Sequence, residues 1–241
     1  MKTITHVAAL TTALLIGTAT LAGSATRASA ENVRGITWTV SPGSTPTLDF
    51  SYRTSTTALP VDRFDDPSAQ LRSALAAEGS TAFSFTREPG VLTCQGAVSQ
   101  PYSGRGTCTF AADADFEADL RARGLAPNDK DELLAMALLG ATRAAIDGLT
   151  EQGVAPHSAD DVIAAAALEV TPDYVAGLKE AGLDLTSLED AVACRALGID
   201  ADYARGMADA GYRASAQQLI AMKATGVTPE YARRMNAAAR N

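Results

Sequence analysis

The residues able to carry chemistry are few and scattered. Beyond residue 30 the chain has a single histidine, His157, in a Pro-His-Ser stretch. A Ser-His-Asp or Cys-His nucleophile system would have to use it, because histidine ordinarily titrates near working pH. No Gly-x-Ser-x-Gly turn accompanies it, and its neighbours Ser158 and Asp161 already read as a helix cap. There is no His-Glu-x-x-His pair and no glycine-rich phosphate loop between a strand and a helix. His157 therefore reads as a surface loop residue, and no catalytic, metal or cofactor-binding residue is assigned. The carboxylates offer one further route. Asp65-Asp66, Asp160-Asp161 and the set Asp113, Asp115, Asp119 cluster in sequence. The last set lacks the Asp/Asn-rich, glycine-containing spacing of a calcium loop. Asp66, Asp113 and Asp161 sit where helix caps are needed, so solvated acidic faces are expected. A carboxylate-only mechanism stays open.

Three cysteines remain, Cys94, Cys108 and Cys194. The first two lie in strand-like segments. Residues 35–41 and 46–54 alternate apolar and polar side chains, with Pro42-Gly43-Ser44 as turn chemistry between them. Asp66 and Pro67 open a short helix through Leu71 and Leu75 to about Glu78. Three more strands follow: one carries Phe83 and Phe85, the next Leu92 and Cys94, the last Cys108 and Phe110. Residues 87–90, Arg-Glu-Pro-Gly, form a tight turn. If Cys94 opposes Cys108, then Leu92 opposes Phe110, while Thr93 and Gln95 meet Thr109 and Thr107. One register satisfies both faces, which predicts a cross-strand disulfide. A redox-active pair is disfavoured by a spacing far from Cys-x-x-Cys. The intervening residues 99–106, rich in Gly and Ser, read as a mobile loop.

The second half repeats. Phe116, Ala145, Tyr174, Tyr203 and Tyr231 recur every 29, 29, 29 and 28 residues. Four positions later stand Leu120, Leu149, Leu178, Met207 and Met235. After four more come Gly124, Gly153, Gly182 and Gly211, with Ala239 in the last copy. This is a short amphipathic helix closed by glycine. Asp113, Thr142, Thr171, Asp200 and Thr228 precede it as N-caps, and Pro172 and Pro229 fill the first helical position. A second helix per repeat opens with capping-box pairs: Asp129 with Glu132, Ser158 with Asp161, Ser187 with Asp190, Ser215 with Gln218. Phe116, Tyr174, Tyr203 and Tyr231 are expected to pack between repeats rather than form a recognition stripe. Cys194 shares its position with Met136, Ala165 and Met222, which predicts a buried free thiol. The fold class is thus α+β: a small antiparallel β region with one short helix (31–111), then an α-helical repeat array (112–241) starting near 113, 142, 171, 200 and 228.

Compartment and partners follow from the N-terminus and the charge. Lys2 precedes a largely apolar stretch from about residue 7 to 23, and Ala28-Ser29-Ala30 supplies the small residues of a cleavage site. Threonines dilute the stretch, which falls short of the ~20 residues of a membrane span. Residues 1–30 read as a signal peptide cut between Ala30 and Glu31, so a periplasmic or secreted location is expected, with no later transmembrane segment. Loss of Lys2 and Arg27 would take the net charge from −8 to −10. That acidity repels phosphate backbones and makes nucleic acid an unsuitable partner.

Residues 83–96 (Phe-Ser-Phe-Thr-Arg-Glu-Pro-Gly-Val-Leu-Thr-Cys-Gln-Gly), residues 104–110 (Gly-Arg-Gly-Thr-Cys-Thr-Phe), then Phe116, Leu120, Gly124 and the Gly-Val-Thr-Pro-Glu-Tyr-Ala of 226–232 resemble an exported region of uncharacterised bacterial proteins. Similar regions occur attached to membrane metallopeptidases of the β-lactam-sensor type, and the resemblance spans roughly 80–241. The peptidase's metal motif and membrane helices are absent from this sequence, so the resemblance implies a sensing or interaction module without peptidase activity. Stacked helical repeats expose an extended face. The expectation is a non-enzymatic module with a protein partner in the envelope and no cofactor. The competing expectation is a small-ligand binder or weak carboxylate-dependent hydrolase at the β/α junction, near residues 105–120. N-terminal sequencing of the exported protein should begin at Glu31; a membrane-bound product that retains Met1 would overturn the leader assignment.

Overall fold

A computed structural model of the chain describes residues 32–63 and 68–238. The proposed leader and its cleavage site at Ala30 and Glu31 lie outside these residues, as do the carboxylates of Asp65 and Asp66, the helix-opening Pro67, and Ala239.

The first half is one six-stranded antiparallel sheet. Its strands are β1 (Val33–Ser41), β2 (Thr47–Tyr52), β3 (Ser55–Pro60), β4 (Gly79–Arg87), β5 (Gly90–Gln100) and β6 (Ser103–Ala112), in the spatial order β3-β2-β1-β6-β5-β4. Two three-stranded meanders therefore meet where β1 pairs with β6. Period-two alternation puts Ile36, Trp38, Leu48, Phe50, Phe83, Phe85, Leu92 and Phe110 on the buried face. Thr37, Thr39, Thr93 and Thr107 lie exposed on the other. Two helices cover the buried face: α1 (Ser68–Ala76), against β4 and β5, and α3 (Lys130–Leu139), against β1, β5 and β6. Leu71 and Leu75 of α1 are buried, as their spacing predicts, and α1 ends two residues short of Glu78.

The register of β5 and β6 is the expected one: Cys94 faces Cys108, Leu92 faces Phe110, and Thr93 and Gln95 face Thr109 and Thr107. Two expectations fail here. The sequence reading has five strands, but the polar segment Ser55–Pro60 pairs with β2 as an edge strand. Residues 99–106 are not a mobile loop. Pairing continues to Gln100 opposite Ser103, which leaves a tight turn at Pro101 and Tyr102, and the Tyr102 N–H donates to the Leu75 carbonyl at 2.8 Å. Gly106, one of the glycines that suggested a loop, serves Trp38 instead, together with Gly96. Trp38, Gly106 and Gly96 are in register across three strands. A Cβ on Gly96 would come within 2.6 Å of Trp38 Cζ2, and one on Gly106 within 2.5 Å of its Nε1. The indole lies over two bare backbones, its N–H donating to the Gln95 carbonyl at 3.2 Å and its ring edge-on to Phe83 at 5.2 Å.

The second half is a row of helix pairs. The first helices are α2 (Ala114–Ala122), α4 (Arg143–Glu151), α6 (Pro172–Glu180), α8 (Ala201–Asp209) and α10 (Pro229–Ala238). The second helices are α3, α5 (Ala159–Ala167), α7 (Leu188–Ala196) and α9 (Ala216–Ala224). First helices stack on first helices from α4 onward, and second on second. Each is nine or ten residues long, too short to persist alone in water. Their ends and neighbours must hold them.

The ends are built alike. Side chains of Asp113, Thr142, Thr171, Asp200 and Thr228 accept the N–H of Phe116, Ala145, Tyr174, Tyr203 and Tyr231. After each first helix from α2 to α8 a glycine turns left-handed: Gly124, Gly153, Gly182 and Gly211, with φ from 72° to 92°. The next residue then reaches back five positions, as Leu125 N–H does to the Leu120 carbonyl and Leu183 N–H to that of Leu178. The second helices close the same way, which the sequence reading did not note. Gly140, Gly198 and Gly226 hold the left-handed position, but in the second copy Glu169 does, at φ 55°. The capping boxes also need correction. Only Ser215 and Gln218 bond reciprocally. Glu132 and Asp161 instead take the N–H one residue before the cap, from Asn128 and His157, and Asp190 accepts from Gln217 in the next copy.

Repeats also fit through a small-residue contact. A Cβ on Gly206 would come within 2.9 Å of Pro229, and one on Gly148 would overlap Pro172. The change of secondary structure near residue 112 does not divide the core, because one buried cluster runs from Val33 through the sheet into α2, α3, Ile146 and Val162. A second begins at Leu149 and ends at Ala232. Two substitutions test the left-handed turns. Gly182→Val should cost more than the ~1 kcal/mol of lost helix propensity, because its φ is forbidden to a β-branched side chain. Glu169→Gly should gain roughly 1 kcal/mol by removing the left-handed penalty, since the exposed ion pair it gives up is worth little. Urea denaturation reads both, and a neutral result at Gly182 would misplace the repeat boundary.

Candidate functional site

The residues flagged for chemistry do not converge. His157 is exposed, 2.8 Å from Asp161 Oδ2 through its backbone N–H. Asp113 is occupied by the Phe116 N–H at 2.7 Å. Asp119 pairs with Arg123 at 2.8 Å and Arg143 at 3.4 Å, and Arg123 also pairs with Asp147. Among the described residues no three His, Cys, Asp or Glu side chains gather as metal ligands.

What the junction at 105–120 does hold is a clamp around Arg143. Its guanidinium lies 4.8 Å from the Phe116 ring centre, 3.1 Å from Glu88 Oε2 and 3.4 Å from Asp119 Oδ2. Its backbone N–H, at the first position of α4, donates to the same Glu88 carboxylate at 3.0 Å. One residue thus joins the β4–β5 turn, α2 and α4. Glu117, on the same helix, is held below the usual carboxylate range by its hydrogen bond from Lys130.

Cys94 and Cys108 form the disulfide, buried on the apolar side of the sheet. Cys194 is a free thiol with no solvent exposure. Burial, and after it the Asp190 carboxylate, pushes it up to about 11.

The recurring aromatic position is where the repeats are most informative. Phe116 is fully buried. The Tyr174 hydroxyl donates to the Ile199 carbonyl at 2.7 Å, and Tyr203 to that of Val227 at 2.8 Å. Both acceptors directly follow a left-handed glycine, Gly198 and Gly226. A cation covers each ring: the Arg195 guanidinium lies 4.9 Å from the centre of Tyr174, and the Lys223 ammonium 4.3 Å from that of Tyr203. Burial raises both phenols above their ordinary value. Tyr231, in the last described helix, is instead 46% exposed, and Met235 one turn on is 49% exposed. The second copy differs again. Where its ring would stand is Ala145, beside an apolar cavity of about 170 Å³ walled by Ile146, Leu149, Val162, Ala166 and Val170. The gap in the aromatic row was visible in the sequence, but its being open space was not.

No single helix among the described residues is long and apolar enough to cross a membrane; α3 and α4 pass that test together only with an 81° bend between them. Comparison with protein-family models, with curated proteins and with solved structures finds no match for this chain.

Two measurements check the cysteine assignments. A thiol reagent without reductant should find almost no reactive cysteine in native protein and one after unfolding. The unfolded Cys194 gives up its proton near 9, while the folded one holds it to about 11. Folded stability present below pH 9 should therefore fall as pH rises towards 11. Cys194→Ala should fall less steeply over that window, and an unchanged slope would exclude a buried thiol as its origin.

Proposed function

We propose that this protein is an exported, non-enzymatic interaction or sensing module of the bacterial envelope, and that the exposed face of α10, the last described helix, is the surface it offers a protein partner. The reading is carried by one observation. The aromatic position that is buried or latched in Phe116, Tyr174 and Tyr203 lies open in Tyr231, together with Met235. These side chains form the kind of face that each preceding repeat covers with its neighbour. Exposed large apolar groups on a helix present buriable area, and aromatic and methionine side chains are enriched in interface cores. The partner surface that fits is an amphipathic helix able to stack on α10. The disulfide and the leader-like N-terminus support export, since disulfides persist in oxidising compartments. The acidic balance argues against nucleic acid and anionic lipid.

A second reading, a small-ligand binder, is favoured by the cavity beside Ala145 rather than by the junction at 105–120, which the Arg143 clamp fills. A photo-crosslinking residue at position 231 should capture a defined envelope protein in intact cells. Tyr231→Ser with Met235→Ser should abolish capture from a crosslinker placed at position 228, with stability changed by no more than ~0.5 kcal/mol as expected for exposed sites. Undiminished capture by that folded variant would remove α10 as the interface.

A further inference from the structure

The cavity of the second repeat is a tyrosine site from which the side chain has been removed. In the third and fourth copies the same position holds three things: a phenol ring, a carbonyl that accepts its hydroxyl, and a cation over its face. In the second copy the ring is cut back to Ala145. The residue matching Arg195 and Lys223 is cut back to Ala166. Both methyl groups line the cavity. The acceptor position is kept. Val170 follows the left-handed Glu169 as Ile199 follows Gly198 and Val227 follows Gly226, and it also lines the cavity. The shape of the turn therefore survives although its glycine does not. At about 170 Å³ the space matches the engineered apolar cavities of about 150 Å³ that take up benzene.

We propose that this cavity binds a free small phenol: an uncharged aromatic ring bearing one hydroxyl, seated where a tyrosine side chain would be, with the hydroxyl donating to the Val170 carbonyl. The apolar wall of Ile146, Leu149 and Val162 selects for a ring. The carbonyl selects for a donor on it. The loss of the covering cation to Ala166 works against a ligand carrying a carboxylate, since the nearby Arg195 is already paired with Glu169 and bonded to the Leu168 carbonyl. Space for little more than the ring favours a free molecule over a tyrosine tethered to a polypeptide. The site is independent of Tyr231 and of any partner on α10.

The test is an NMR titration of the purified chain with p-cresol, which is the tyrosine side chain as a free molecule, alongside toluene and N-acetyl-tyrosinamide. p-Cresol should bind saturably and shift the methyl signals of Ala145, Ile146 and Ala166. It should bind roughly 3- to 10-fold tighter than toluene, the contribution of one hydrogen bond. N-acetyl-tyrosinamide should bind more weakly than p-cresol. Ala145→Tyr should restore the row, raise Tm and abolish p-cresol binding. If that variant fails to fold, Ala145→Leu fills the same space and should weaken binding at least several-fold. The proposal is overturned by absence of saturable binding, by no preference over toluene, or by binding that persists in a folded filled variant. Binding of N-acetyl-tyrosinamide equal to or tighter than p-cresol would overturn the free-phenol assignment in favour of a protein-borne tyrosine.

Discussion

The left-handed turn that closes each helix from α2 to α9 is the constraint on which the array depends. A helix of nine residues cannot stabilise itself, because nucleation uses most of what so few hydrogen bonds return. Here the residue after the turn reaches back to the last turn of the helix, and that same residue is usually an apolar anchor: Leu125, Val154, Leu183 and Ile199 are all buried. Each turn thus ends one helix, satisfies its terminal carbonyls and sets the direction of the next. In the later copies it does more. The carbonyl of the residue after the turn is the acceptor for the tyrosine of the preceding first helix, so a local backbone conformation becomes a contact between elements some 25 residues apart.

The sheet relates to this array through covering and clamping. Its apolar face needs a lid, and α1 and α3 supply it. α3 belongs at once to the sheet's core and to the first repeat, so the two halves share a single buried cluster. Arg143 adds a polar fastening at the edge, tying the β4–β5 turn to α2 and α4. At the α4–α6 and α8–α10 junctions Gly148 and Gly206 let Pro172 and Pro229 approach directly, and Lys179 and Asn236 reach the Gln152 and Ala210 carbonyls of the preceding copy.

Function in such a scaffold lies where the repetition breaks. Identical copies bury identical side chains, and a departure can leave an exposed group or a space. Two departures stand out. Tyr231 and Met235 keep the residue types of the buried positions without the cover. Ala145 and Ala166 keep the surrounding repeats without the ring or its covering cation. The first supports a protein-interaction reading, and the second a pocket with the chemistry of its missing occupant.

The N-caps, the 29-residue period, the glycines that close the first helices and the pairing of Cys94 with Cys108 were all legible in the sequence, because each depends on side chains within a few residues or on a simple alternation across one hairpin. What escaped was decided by contacts between distant segments. Residues 99–106 read as a loop because nothing nearby announces that Trp38, on another strand, lies over Gly106. Ser55–Pro60 has too few apolar residues to declare itself a strand, and pairs because β2 offers it an edge. Glu132 and Asp161 sit at capping-box spacing but bond one residue earlier, a choice of rotamer that spacing does not encode. Ala145 could be read as a gap in a row of aromatics. Only the tertiary structure decided that the gap stays open, because no side chain of α4, α5 or the turn after α5 reaches into the space that Ala145 and Ala166 line.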